Sequence, residues 1–224
     1  MAKVAAEKLL SRSVHERRAT PGFEPVPIHA ADLEKIIRAG LAAPSAYNLQ
    51  PWRFVVVRDP EQKKKLRQAA FNQAKVEEAS AVIVACGDAQ GWQDELEEIL
   101  RIAKQHGFSD EQNEKTRKAV TRFFAGQPGK AGGLEPTFDL WVNRHVMIAF
   151  TTMMWMAETL GYDTAPMEGF EEDKVKTLLR IPERMRVVAL LGIGRLRGPD
   201  KPDAGRLGPG RIVFADEWGS GIEF

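Results

Sequence analysis

The strongest constraint on the fold is a twelve-residue apolar run, Val146-Met147-Ile148-Ala149-Phe150-Thr151-Thr152-Met153-Met154-Trp155-Met156-Ala157. It is too short to cross a bilayer and it carries two threonines. A helix that is apolar on nearly every face belongs in a core or an interface. The run is read as the middle of a central helix, Asp139 to Leu160, closed by Gly161 at its C-cap. Its four methionines, Met147, Met153, Met154 and Met156, suit core filling, with an adaptable surface as the alternative.

Around that helix the chain alternates helix and strand. Glu7 to Arg18 has a helical period, and Ala30-Ala31-Asp32 opens a helix with Leu33, Ile36, Ile37 and Leu41 on one face. Asp59-Pro60 starts a third helix, Glu61 to Asn72. Trp92 to Gln105 and Asp110 to Phe124 read as charged amphipathic helices, and another starts near Phe170. The expected strands are Phe54–Val57, Ala81–Cys86, Val187–Ile193 and Arg211–Phe214. Three are nearly continuous apolar runs, as expected for strands covered on both faces. Gly126 to Gly133 reads as a flexible loop. The Gly/Pro-rich tail from Gly198 to Phe224 cannot form a core alone and must lie along something else. One domain is expected over 1–224, with a helical insertion at about 90–135 and a C-terminal arm at about 198–224.

Charge narrows the function. Lys and Arg number 32 and Asp and Glu 31, so a net charge of +1 offers no large basic field for nucleic acid. Met1 to Arg18 lacks the apolar core of a signal peptide, and a single cysteine rules out an internal disulfide framework. The expected location is cytoplasmic, with no membrane partner. His15, His29, His106 and His145 show no metal-ligand spacing, so no metal is expected. Cys86 ends an apolar strand and is expected to be inert. Gly192-Ile193-Gly194 follows a strand, but Pro199 and Pro202 follow instead of a helix. It is therefore a strand exit and not a dinucleotide loop.

The chemistry concentrates at loop–helix junctions. Ala43-Pro44-Ser45-Ala46-Tyr47-Asn48-Leu49-Gln50-Pro51-Trp52 packs four polar side chains into six residues without a charge. Such a loop suits a neutral, planar, hydrogen-bonding ligand. Arg17 and Arg18 stand where the first helix ends, a place where solvated cations are also at home. Arg206 is a further guanidinium, and two or three such donors hold a phosphate. Asn72, Lys75 and Glu168-Gly169 would be plain helix ends and a turn if taken singly.

Taken in order, these segments resemble the FMN-dependent nitroreductase family, from about Arg17 to about Phe214. The resemblance implies an α+β fold, a mixed sheet wrapped by helices, in an intertwined homodimer with FMN at the interface. It implies that Arg17, Arg18 and Ala19 hold the FMN phosphate and ribityl chain, with Ala19 in place of the family's serine. Pro44, Ser45, Asn48 and Gln50 would reach the flavin from the partner subunit. Asn72 and Lys75 would bind the pyrimidine edge, and Pro166, Met167, Glu168 and Gly169 would lie against the ring. Arg206 would bind phosphate. Tyr47, Phe123 and Phe124 would line the substrate channel. Pro21 and Ala204 stand where the family often has basic residues, and Lys201 could compensate for the latter. No protein nucleophile is required, because the chemistry is the flavin's. The implied activity is NAD(P)H-dependent reduction of nitroaromatics, quinones or similar acceptors. The alternatives are a flavin-destroying or dehalogenating branch of the fold, or a flavin-binding protein with little turnover.

Overall fold

The computed structural model describes residues 2–125 and 138–222. The elements are α1 (Ala2–Glu16), α2 (Ala30–Leu41), β1 (Trp52–Val57), α3 (Pro60–Ala69), α4 (Ala74–Glu78), β2 (Ala81–Asp88), α5 (Gly91–Gln105), α6 (Asp110–Ala125), α7 (Phe138–Thr159), β3 (Asp163–Met167), α8 (Glu172–Leu179) and β4 (Met185–Gly194). The strands form one sheet in the order β1-β2-β4-β3, with every ladder antiparallel. Among the described residues, parallel pairing occurs at one isolated bridge, Ala19 to Thr164.

The alternation of side chains along β2 splits the core in two. Ala81, Ile83 and Ala85 face a layer built on α2, α5, α6 and α7, whereas Val82, Val84 and Cys86 face α3, α4 and α8. On β4 the phase slips at a bulge opposite Ala85 and Cys86. Val188 and Ala189 both turn toward α7, so Val187 and Leu190 share the opposite face despite their spacing. With both faces covered, β2 is buried along its whole length, which explains its unbroken apolar sequence.

Helix α7 lies across the sheet where the backbone has no side chain. A Cβ at Gly87 would land inside the Val142 side chain, and one at Gly40 of α2 would press on Met153. Val142, Val146, Ala149, Phe150, Met153 and Ala157 make the fully buried stripe. The expected Gly161 stop holds, with the glycine in the left-handed region at φ 79°. Gly192 and Gly194 also serve packing, because the Phe23 ring lies against both. Their place inside β4 fits the strand-exit reading.

Three sequence expectations need correction. Helix Glu61–Asn72 ends at Ala69, because Phe71 and Asn72 are left-handed (φ 51° and 58°) and the chain restarts as α4 at Ala74. The Asp59 cap and Pro60 start are as expected, with Asp59 accepting from the Gln62 N–H at 2.8 Å. The strand at Arg211–Phe214 is absent. Pro209–Arg211 forms a 3-10 turn, and Phe214 makes a lone bridge to Gly221. Conversely, Asp163–Met167 is a strand that sequence reading passed over. Pro166 is tolerated there because β3 is an edge strand. The expected loop Gly126–Gly133 lies outside the described residues.

Gly87→Ala should destabilise the protein by about 1–3 kcal/mol, since overpacking forces α7 off the sheet. Gly208→Ala, at a position with open space around it, should change stability by less than about 0.5 kcal/mol. Urea unfolding of the two variants checks the contrast; equal midpoints would refute the close approach of α7.

Candidate functional site

The residues singled out from sequence fall into two groups at opposite edges of the sheet. The first lies along β3. Ala19 bridges to Thr164, and the Thr20 N–H donates to the Thr164 carbonyl at 3.0 Å, so Arg17-Arg18-Ala19 run beside this edge. At the other end of β3, Pro166-Met167-Glu168-Gly169 emerge against the α3–α4 turn. Gln73 Nε2 donates to the Gly169 carbonyl at 2.8 Å, and the Glu171 N–H donates to the Ala69 carbonyl at 2.8 Å. Asn72 sits in that turn, its carbonyl accepting from Arg67 Nε at 3.2 Å. Lys75 follows on α4.

The C-terminal segment returns to the same edge. Asp203 pairs with Arg18 at 2.9 Å. Its carboxyl is held below the usual range, first by the Gly205 N–H and then by Arg18 and Arg206. The Lys75 ammonium is pushed down by burial and then by the charge of Lys201. Among the described residues, no carboxylate lies within ion-pair distance of either lysine. Arg17 has its Nε and Nη1 buried without a hydrogen-bond partner. Cations thus gather along one edge, several short of counter-ions, which is the electrostatic signature of an anion site.

Behind Arg17 is a cavity of about 350 Å³ lined by Arg17, Arg18, Glu158, Asp163 and Asp200 among others. Glu158, at the end of α7, accepts from Thr164 Oγ1 at 2.6 Å. Burial pushes its carboxyl up to about 7, with Asp163 adding to the rise and Thr164 and Arg17 opposing it. Sequence reading missed Glu158; nothing in a helical stretch marks a glutamate as half-buried and hydrogen-bonded.

The second group lies before β1, at the far edge. The Gln50 N–H donates to Ser45 Oγ at 3.0 Å, closing a tight loop. Tyr47, Asn48 and Gln50 all have positive φ (53°, 57° and 46°). Such left-handed non-glycine residues cluster at ligand-binding segments. Pro44, Tyr47 and Asn48 are exposed. Tyr47 meets Phe123 with ring centroids 6.1 Å apart. The two phenylalanines separate in role: Phe123 is 44% exposed, whereas Phe124 is 8% exposed, stacked on Trp92 at 4.5 Å and edge-on to Trp141. Trp92 is a second residue that sequence reading did not single out. Cys86 is buried, and burial pushes its thiol up to about 12, so it is no nucleophile at neutral pH.

A helix-covered antiparallel sheet with a cationic cleft at one edge and a strained polar loop at the other defines an α+β protein. The chain belongs to the nitroreductase family, whose description matches residues 14–195. It is 35% identical to the NADH dehydrogenase of Thermus thermophilus over 80% of this chain and 82% of that one. It is 33% identical to MhqN of Bacillus subtilis over 81% of this chain and 86% of that one. Among solved structures, a protein from Exiguobacterium sibiricum crystallised in complex with FMN superposes with a TM-score of 0.82. It is 28% identical, with 92% of this chain and 97% of that one covered. No helix among the described residues is long and apolar enough to cross a membrane.

Glu158 makes stability pH-dependent with a definite sign. Its folded pKa, about 7, lies above the ordinary 4.5, so the folded state holds the proton more tightly. The contribution is fully present below about 4.5 and is lost as pH rises through about 7. Glu158→Gln should flatten thermal stability across that window, measured by melting scans at fixed ionic strength; an unchanged slope would refute the burial of this carboxyl.

Proposed function

We propose that this chain is an FMN-dependent NAD(P)H oxidoreductase that reduces quinones, nitroaromatics or related planar acceptors. The observation that carries the reading is the half-buried Arg17, whose Nε and Nη1 have no hydrogen-bond partner, on the sheet edge from which Pro166–Gly169 emerges. A phosphate would satisfy those donors, and the lysines without counter-ions would add to its hold. The donor set therefore fits a flavin mononucleotide. Among the described residues there is one phosphate-sized cluster and no strand–glycine–helix cradle for a pyrophosphate.

FMN, when bound, supplies a ring that accepts and returns hydride. The residues of the chain bind, orient and exclude water. Arg17, Arg18 and Arg206 would hold the phosphate, beside the main chain of Ala19. Lys75, poorly solvated beside Lys201, would place positive charge by the pyrimidine edge and favour the reduced, more negative ring. Asn72 offers both a donor and an acceptor. Pro166, Met167, Glu168 and Gly169 would line the ring, Gly169 being fixed by Gln73. Tyr47 and Phe123 present exposed aromatic faces to an acceptor, and Phe124 and Trp92 support them from below.

One chain does not assemble this site. The Ser45–Gln50 loop precedes β1 and the cations flank β3, three strand spacings apart, or about 14 Å measured across the sheet. A second copy would bring its loop to the cleft of the first, giving a homodimer in which Pro44, Ser45, Asn48 and Gln50 complete the partner's flavin site. Exposed apolar side chains support this assembly: Ile148 on α7, Leu207 and Ile212 in the tail, and Trp218 at 90% exposure. A cytoplasmic location accords with the reading.

The deciding experiment is the visible spectrum of the purified protein, followed by NADH and NADPH oxidation with menadione or a nitroaromatic. The expected result is a yellow dimer that releases FMN on denaturation and turns over with either acceptor. A colourless protein that cannot be loaded with FMN would overturn the reading. FMN binding without turnover would leave only a flavin-binding function. Sedimentation of the loaded protein as a monomer at micromolar concentration would overturn the shared site.

Arg206→Ala should weaken FMN binding by about 1.5–3 kcal/mol, the scale of a charge-assisted hydrogen bond, and by more than Lys201→Ala. Fluorescence titration checks this; equal, negligible losses would place the phosphate elsewhere. Nicotinamide and acceptor should share one cleft, giving parallel lines in double-reciprocal plots. Phe123→Ala should alter acceptor preference with FMN still bound, while the buried Phe124→Ala should cost about 3–5 kcal/mol of stability. Intersecting lines with unchanged preference would contradict the shared cleft.

A further inference from the structure

The cavity between α1, the end of α7 and the start of β3 has no role in the chemistry described above, although Arg17 lines it. Glu158 is the half-buried acid of this cavity. Its carboxylate accepts from the Thr164 hydroxyl at 2.6 Å. Thr164 in turn holds the chain that carries Arg17, through the Ala19 bridge and the Thr20 N–H at 3.0 Å. One carboxylate therefore braces the strand that positions Arg17 and, without forming an ion pair with it, lies within reach of its charge across the cavity that both line. The same guanidinium has two buried nitrogens with no partner. An anion in the cleft and the Glu158 carboxylate thus compete for one cation.

We propose that Glu158 is a positioning residue that makes phosphate binding by Arg17 depend on protons: neutral Glu158 leaves Arg17 to the phosphate of FMN, and the carboxylate draws it away. This rests on the FMN reading given above. Protonation takes a proton from solvent onto Glu158 and removes one negative charge beside the phosphate. Binding of the phosphate must, by linkage, favour the neutral acid in return. Since burial holds the carboxyl near neutrality, the exchange falls at ordinary working pH. The charged and titratable groups facing it are Arg12 and Glu16 on α1, Arg17 and Arg18 after it, Tyr162 and Asp163 at the start of β3, and Asp200 in the tail. His15 lies on the same last turn of α1, and its carbonyl accepts from Arg18. It is the group to separate from Glu158 by mutation.

The test is flavin release from the FMN-loaded full-length chain, followed by fluorescence in ultrafiltrates between pH 6.5 and 8.5. The FMN phosphate is already mostly dianionic across this range. In the wild type the dissociation constant should rise roughly five-fold across the range, the scale of a single charge–charge coupling near a protein surface. Glu158→Gln should retain FMN at pH 8.5 as the wild type does at pH 6.5. Riboflavin, which has no phosphate, should show no such step in either protein. Thr164→Val removes a hydrogen bond that favours the carboxylate, so the midpoint should move to higher pH. His15→Gln should keep the step.

A step that persists in Glu158→Gln, or appears equally with riboflavin, would overturn the proposal while leaving FMN as the cofactor. Loss of the step in His15→Gln would transfer the effect to that residue and overturn the proposal as well. Failure of the wild type to hold FMN at any pH would overturn the functional reading itself.

Discussion

The structure depends on the close approach of α7 to the sheet. Gly87 gives up its side chain so that Val142 and Val146 can lie on β2, and Gly40 does the same for Met153 on the side of α2. That contact fixes the height of α7, and so the place where the helix ends. It ends at Thr159, with Gly161 reversing the chain into β3. Glu158 is thereby delivered to the start of β3, and β3 to the sheet edge. Burial of the α7 stripe offers about 25 cal/mol per Å² of apolar surface removed from water. A side chain at Gly87 would forfeit part of that gain along the whole stripe, because interiors do not deform locally without cost.

An edge strand has an unsatisfied side, and here that side gathers the cations to which the flavin proposal assigns a role. The outer edge of β3 is only partly paired, by the Ala19 bridge and the Thr20 N–H. The segment that supplies this pairing also supplies Arg17 and Arg18. The other end of the strand opens into Pro166–Gly169 against the α3–α4 turn, whose left-handed Phe71 and Asn72 stop α3 early. The early stop lets Gln73 reach Gly169 and turns Lys75 toward the same edge. Backbone strain at 71–72 is thus offset by docking of the β3 loop, a common arrangement at binding sites.

Much of the core was legible from sequence because its signals are periodic. The apolar stripe of α7, the unbroken run of β2 and the Asp59-Pro60 start of α3 each follow from local chemistry. What escaped was decided by distant residues. Asp163–Met167 contains a proline and an acid, so nothing marks it as a strand until β4 is seen to pair with it. Arg211–Phe214 has strand-like residues, yet it finds no ladder partner among the described residues and forms a turn with one bridge. The polar loop at Ser45–Gln50 was visible as chemistry, but its three left-handed residues were not, since none is a glycine. Phe123 and Phe124 were visible as a pair. Their division into an exposed face and a buried support comes from Trp92 and Trp141, more than fifteen residues away in either direction.

The departures at Ala19 and Ala204 take on a physical meaning in this setting. Ala19 is held by its main chain, through the bridge to Thr164, so the absence of a hydroxyl there does not release the strand; under the flavin proposal it would remove one donor to the ligand. The cation missing at 204 is balanced from nearby: the charge of Lys201 already reaches Lys75, and Arg206 already reaches Asp203. Asp203, however, occupies Arg18, and Glu158 faces Arg17. Each arginine after α1 therefore has an internal carboxylate as a rival for any incoming anion. A basic cleft built this way would bind an anion through exchange of partners, not through cations waiting in solvent. Under the flavin proposal its affinity would then depend on the protonation and placement of those two acids as much as on the number of arginines and lysines around it.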